Sequence, residues 1–153
     1  WLMLIREINK PDVPSLMRLA HFFWQESLMG SFSKFPEDNI YRVLFNNFSS
    51  GNIVGWGIEK ENEIACCVIF LKSQNFWSSV KQLNEIAWFN EKNSRFGLSS
   101  VKLIKIAEIW AKENGYTFIS MGRIKGPSSY SKLPRLYSRM GYKNLEETFI
   151  KKL

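Results

Sequence analysis

Lys81 to Gly115, KQLNEIAWFNEKNSRFGLSSVKLIKIAEIWAKENG, is the stretch whose reading decides the fold. Its opening, KQLNEIAWFN, is rich in apolar and aromatic residues and reads as a strand. A loop of small polar residues with Gly97 follows. The chain then enters a helix from about Ser99 to Asn114, with Leu103, Ile104, Ile106, Ala107, Trp110 and Ala111 at helical spacing. Lys102, Lys105, Glu108 and Lys112 take the opposite side, with Glu108 one turn before Lys112. Gly115 suits a left-handed C-terminal cap. The start of such a helix leaves backbone N–H groups unpaired and carries partial positive charge, so it is suited to an anion. Gly97 gives backbone freedom and close access, Ser99 and Ser100 can cap the helix or add hydroxyl donors, and Arg95 adds a charged donor. From these residues alone, a plain structural cap and an anion site both fit, and the cap is the commoner use. SRFGLSS is neither a Walker A loop nor a G-x-G-x-x-G fingerprint, so it gives ATP and dinucleotide sites no support.

Upstream, LMLIREIN reads as a first strand ending in a turn at Asn9 to Pro11. Asp12 is placed to cap a helix running to about Ser27, with Leu16, Leu19, Ala20, Phe23 and Trp24 at helical spacing. MGSFSKFPED reads as a loop, and Glu37 to Phe48 as a second helix with Ile40, Val43, Leu44 and Phe48 on one stripe. IVGWGIEKENEIACCVIFLK contains two strand-like runs around EKENE, a β-hairpin pattern. Downstream, YTFISM reads as a short strand, GRIKGPSS as a loop, and SKLPRLYSRM as a short helix that tolerates Pro134 only in its first turn. YKNLEETFIKKL reads as one or two closing strands. The pattern is one α+β domain with a βαβ unit late in the chain.

With 153 residues, 45% of them hydrophobic, the chain can build a real core and is not of the disordered class. No apolar run is long enough to span a bilayer. WLMLI is too short for a signal-peptide core and lacks a preceding basic region, and Trp1 in place of Met points to a trimmed or replaced start. The net charge of +7 favours anionic partners, although a basic, soluble surface accounts for it equally well. Cys66 and Cys67 are adjacent, so on a strand they face opposite ways and read as buried small residues in a reducing compartment. His21 is the single histidine, on an apolar helix, so neither a zinc site nor a Cys-His or Ser-His-Asp system has enough parts.

The tail, LPRLYSRMGYKNLEETFIKKL, carries Tyr137, Gly141 and Tyr142 as Y-x-x-x-G-Y. Strand, glycine-bearing loop, long helix, strand, then a short helix with this motif resembles the GNAT superfamily of acyl-CoA-dependent N-acetyltransferases. The likeness covers the element order of nearly the whole chain, with motif support in Glu85 to Lys105 and Leu136 to Tyr142. The tail is also similar to that of short, phage-type members. The resemblance implies an α+β, GNAT-like fold: a central mixed, mostly antiparallel twisted sheet of roughly six to seven strands flanked by about four helices. It implies a single domain, a cytoplasmic location, acetyl-CoA as cosubstrate and no metal. It also implies an amine acceptor as partner, with no membrane role, nucleic acid disfavoured, and a monomer or homodimer. By the same resemblance, backbone groups at Ala87, Trp88, Phe89 and Asn90 would pair with the pantetheine arm. Amides of the loop at Arg95, Phe96, Gly97, Leu98, Ser99 and Ser100 would hold the pyrophosphate.

Where the family loop usually reads [QR]-x-x-G-x-[GA], this chain has serine at both ends, Ser94 and Ser99, which implies fewer phosphate contacts. Tyr137 would act as general acid at the thiolate. Glu85, between apolar neighbours, is the candidate base, and a solvent-facing strand glutamate or a structural ion pair is the equal alternative. A strand amide near Phe89 would polarise the carbonyl. Phe23, Trp24, Phe32, Phe35, Phe76 and Trp77 fall where an acceptor would enter, although each taken singly reads as packing. Two other functions stay open: a non-catalytic acyl-CoA-binding protein of this fold, and a basic nucleic-acid-binding module. The latter lacks any RNP, zinc-finger or helix-turn-helix signature.

Overall fold

In the computed structural model, residues 3–91, 97–123 and 132–153 are described. The elements run β1 (Leu4–Glu7), a 3-10 turn (Lys10–Asp12), α1 (Val13–Glu26), α2 (Met29–Phe32), α3 (Glu37–Ser50), β2 (Ile53–Lys60), β3 (Glu63–Gln74) and β4 (Lys81–Asn90). They continue with α4 (Leu98–Glu113), β5 (Phe118–Ser120) and α5 (Leu133–Arg139). The sheet has the order β1-β2-β3-β4-β5. Strands β1 to β4 pair antiparallel in succession, and β5 joins β4 in parallel across the α4 crossover.

Helices cover both faces of β2 and β3, which is why these strands read as nearly continuous apolar runs. Period-two alternation sorts their side chains. Ile53, Ile64, Cys67 and Ile69 pack with Leu16 and Leu19 of α1 and Leu44 of α3. Val54, Trp56, Cys66, Val68 and Phe70 pack on the other face with Leu103, Ala107 and Ala111 of α4. The two cysteines thus face opposite ways, as their adjacency predicts, and both are free and buried. Glu61 and Asn62, at φ 53° and 63°, close the β2–β3 hairpin in the left-handed pair that such a turn demands. Phe70 is fully buried. Phe70→Ala is expected to cost about 3–5 kcal/mol, measured by denaturant unfolding.

Four expectations are corrected. The sheet has five strands among the described residues, not six to seven. The tail read as strands forms no strand among the described residues, and Leu145, Phe149, Ile150 and Leu153 are exposed. Five α-helices, not four, are present among the described residues, because Met29–Phe32 forms a single turn inside the stretch read as a loop. A helix this short carries no periodicity to detect, and its turn is held by local bonds such as Ser31 Oγ to the Leu28 carbonyl at 2.6 Å. Finally, Asp12 precedes α1 but makes no cap bond. Its carboxylate instead accepts both Nη1 and Nη2 of Arg6 at 2.8 Å and the Asn9 amide at 2.8 Å, which ties β1 to the 3-10 turn.

Candidate active site

Two features open β4. On the β3 side, Ile69 pairs with Ala87 but Phe70 pairs with Glu85, so Ile86 is an extra residue and the register slips at Glu85. On the β5 side, pairing is confined to Gln82–Phe118, Leu83–Ile119 and Asn84–Ser120. Side chains lock the last of these rungs. Ser120 Oγ donates to Asn84 Oδ1 at 2.8 Å, and Asn84 Nδ2 donates to Ser73 Oγ at 2.6 Å. Beyond Asn84, no described strand pairs with the β5-facing edge of β4, so among the described residues the backbone from Glu85 to Asn90 has no strand partner on that side.

Glu85 sits where the strands part. It is half-buried and forms no ion pair among the described residues, so the ion-pair alternative has no partner. Burial pushes its carboxyl up to about 7, with the backbone of Gly122 acting against the shift. Gly122 lies just past β5, and a Cβ there would stand 3.3 Å from Glu85 Oε2, close enough to push the carboxylate back by a few tenths of an ångström.

Tyr137 reaches the same residue from α5. Its hydroxyl donates to the Gly122 carbonyl at 2.8 Å. Burial, and then the nearby Glu85 carboxylate, push its hydroxyl above the ordinary tyrosine value. The motif around Tyr137 has a mechanical explanation. Gly141 takes φ 90° and ends α5, so the Tyr142 amide folds back onto the Tyr137 carbonyl at 2.9 Å and the Gly141 amide onto Ser138 at 3.1 Å. The Tyr142 hydroxyl donates to Glu108 Oε1 of α4 at 3.0 Å, which fixes α5 against the long helix. The two tyrosine rings stand 5.9 Å apart, and the Trp88 ring lies 6.3 Å from that of Tyr137.

The start of α4 has no side-chain cap. Gly97 is the N-cap residue, at φ 48° and ψ −121°, a conformation that favours glycine. The expected serine cap is absent: Ser100 is buried and donates its Oγ back to the Gly97 carbonyl at 2.9 Å. Among the described residues, no side chain is therefore seen to accept from the N–H groups of this first turn. Leu98 is exposed and Ser99 half-buried, whereas Arg95 and Phe96 lie outside the described residues.

The remaining β4 candidates divide between the faces. Ala87 is buried toward α1, Phe89 packs its ring on Phe23 at 4.8 Å, Trp88 joins the α4-side core, and Asn90 is exposed. Of the aromatics expected around an acceptor, Trp24 and Phe35 pack together, Phe23 packs on Phe89, and Phe76 and Trp77 pair with each other. Trp24 packs on Phe35 at 5.9 Å beside α1, and its ring N–H donates to the Ser33 carbonyl at 3.0 Å. Phe76 and Trp77 stand exposed at the β3–β4 turn, at the far end of β4 from Asn90, 4.9 Å from each other. His21 is exposed on α1 and packs on Phe35.

Sequence reasoning missed Gly122, the meeting point, and the Asn84–Ser120–Ser73 lock. A single glycine after a strand carries no signal of its role, and the lock depends on which strands become neighbours. A separate charged cleft of about 280 Å³ is lined by Arg18, Lys60, Glu61, Glu63, Ala65 and Glu91 and includes none of the residues above. There Arg18 bridges Glu63 at 3.2 Å and Glu91 at 3.5 Å, holding α1 to the ends of β3 and β4. Burial raises both cysteine thiols, so neither supplies a ready thiolate. Among the described residues, no group of three or more His, Cys, Asp or Glu is placed to hold a metal, and no helix is long and apolar enough to cross a membrane.

No protein-family model and no curated relative matches the sequence. Solved structures match along nearly its whole length. A GCN5-related N-acetyltransferase from Ralstonia eutropha JMP134 superposes with a TM-score of 0.77 at 16% identity, covering 99% of each chain. A predicted acetyltransferase, with acetyl-CoA, from Clostridium acetobutylicum gives 0.73 at 15% identity, covering 99% of this chain and 96% of that one. A ribosomal-protein-alanine N-acetyltransferase from Brucella melitensis biovar Abortus 2308 gives 0.71 at 13% identity, covering 99% of both. At these identities the likeness is one of fold, and the fold is that of the GNAT acetyltransferases.

Proposed function

We propose that this chain, built on the GNAT fold, transfers an acetyl group from acetyl-CoA to a primary amine by direct attack in a ternary complex. The supporting observation is the convergence of Glu85 and Tyr137 on Gly122, at the point where β4 and β5 part. Acetyl-CoA supplies an acyl group already activated as a thioester. The open first turn of α4 offers its amides to the diphosphate, and the unpaired edge of β4 offers backbone groups to the pantetheine arm and to the thioester carbonyl.

Glu85 takes the proton that the attacking amine must lose. A base titrating near 7 suits that step at neutral pH. Tyr137 gives its proton to the departing sulfur. Its raised value keeps the hydroxyl protonated, and turning the O–H away from the Gly122 carbonyl needs only rotation about the C–O bond. Between turnovers, solvent returns a proton to Tyr137 and removes the one held by Glu85. Both cysteines are buried with raised thiols, which favours direct transfer over a covalent acyl-cysteine.

The test is release of free thiol from acetyl-CoA in the presence of a panel of amines: peptides with free N-termini, lysine derivatives and small amines. Acceptor-dependent release is expected. Binding of acetyl-CoA with no acceptor-dependent release from any of them would instead mark a protein that binds the ligand without turning it over. Gly97 tests the loop separately. Gly97→Val forces a β-branched residue into a positive-φ position, where space is open but the backbone is strained. Coenzyme A affinity is expected to fall about tenfold by calorimetry, for the loss of roughly one good backbone contact. Unaltered affinity would remove this loop from the site.

A further inference from the structure

We propose that the indole N–H of Trp88 is a binding donor for a carbonyl oxygen of the acyl-pantetheine chain; this rests on the acetyl-CoA reading above and adds a side-chain contact to it. Trp88 follows the slipped register on β4, pairs with Val68 and packs into the α4-side core. Its Nε1 is buried and has no hydrogen-bond partner among the described residues. Trp24 shows the ordinary case, with its ring N–H satisfied by the Ser33 carbonyl at 3.0 Å. Buried donors without an acceptor are rare because they forfeit hydration and gain nothing in return.

The position of this unsatisfied donor gives it meaning. Trp88 lies on the segment of β4 that β5 leaves unpaired, and its ring is 6.3 Å from that of Tyr137, the group assigned to the departing sulfur. The core cluster it packs against is made of apolar and aromatic side chains, among them its strand partner Val68, and these supply no strong acceptor. An acyl-pantetheine arm brings amide and thioester carbonyls, which are acceptors only. A neutral N–H donor among apolar walls matches that chemistry, whereas phosphate would call for a charged donor.

The indole N–H signals of the six tryptophans can be followed in ¹⁵N-labelled protein, with that of Trp88 identified by its absence in Trp88→Phe. Should that variant fail to fold, contacts to the Tyr137 ring identify the same signal in the unaltered protein. The expected result is a downfield move of the Trp88 proton on adding acetyl-CoA and none on adding ATP. A move with acetyl-CoA but not with CoA assigns the donor to the thioester carbonyl, and a move with both assigns it to the arm. Trp88→Phe, which keeps the packing and deletes the donor, is expected to weaken the affinity about fivefold to tenfold. If calorimetry shows acetyl-CoA binding while the Trp88 signal stays in place, this inference is wrong and the function reading stands. If acetyl-CoA does not bind at all, both are wrong.

Discussion

Tyr137→Phe is expected to lower turnover about a hundredfold while leaving the dissociation constant for acetyl-CoA unchanged. Phenylalanine keeps the ring contacts with Trp88 and Tyr142 and removes only the O–H that donates to the Gly122 carbonyl. The fold should tolerate the change, because one half-buried hydrogen bond contributes about 1 kcal/mol. What disappears is the proton for the leaving sulfur. Burial and the Glu85 carboxylate both hold that proton on the oxygen, so Tyr137 should place no descending limb on the pH–rate profile in the neutral range. Steady-state kinetics together with a binding titration separates the two effects. Unchanged turnover would assign the acid role to solvent and leave Tyr137 as packing.

Glu85→Gln is the second large effect. For the unaltered protein, turnover should rise with pH through about 7 and then level, because a base works only when ionised. The glutamine variant should lose about a hundredfold at pH 8, and the inflection near 7 should vanish with it. Stability should move the opposite way. The folded state raises this carboxyl from its ordinary 4.5 to about 7, so the native protein holds the proton more tightly than the unfolded chain. That preference stabilises the fold below 4.5 and is lost progressively as pH rises through 7. Glu85→Gln should therefore melt higher than the unaltered protein at pH 8, by a few degrees. Thermal midpoints at acid and alkaline pH read this directly. A variant that melts lower at pH 8 would show the carboxylate to be a structural acceptor and not a strained base.

Much of this arrangement was legible in the residues. Lys81 to Asn90 reads as a strand and forms one, because its apolar and aromatic residues are bounded by polar sequence on both sides. Leu103, Ala107 and Ala111 announce the buried stripe of α4, and Gly115 takes φ 79° just beyond it, as a left-handed cap requires. Tyr137, Gly141 and Tyr142 could be singled out by spacing, although only the folded chain shows why the spacing matters: the glycine ends α5 and turns Tyr142 back to Glu108.

The illegible parts share a cause. Leu83 and Ala87 are four apart yet buried on opposite faces, because Ile86 is an extra residue in the ladder. No sequence pattern marks which residue slips. Gly122 acts through the absence of a side chain and through its neighbours in space. The tail misled for the converse reason. Leu145, Phe149, Ile150 and Leu153 look like strand residues, but a strand needs a partner edge as well as a propensity.

Calorimetric titration with acetyl-CoA, with ATP as the control anion, tests the central claim most directly. The account predicts selective micromolar binding of acetyl-CoA, since the α4 amides and the open β4 edge together match its diphosphate and pantetheine arm. No binding, or an equal response to ATP, would contradict it and would leave the +7 charge of the chain as a general basic surface in place of a coenzyme A site.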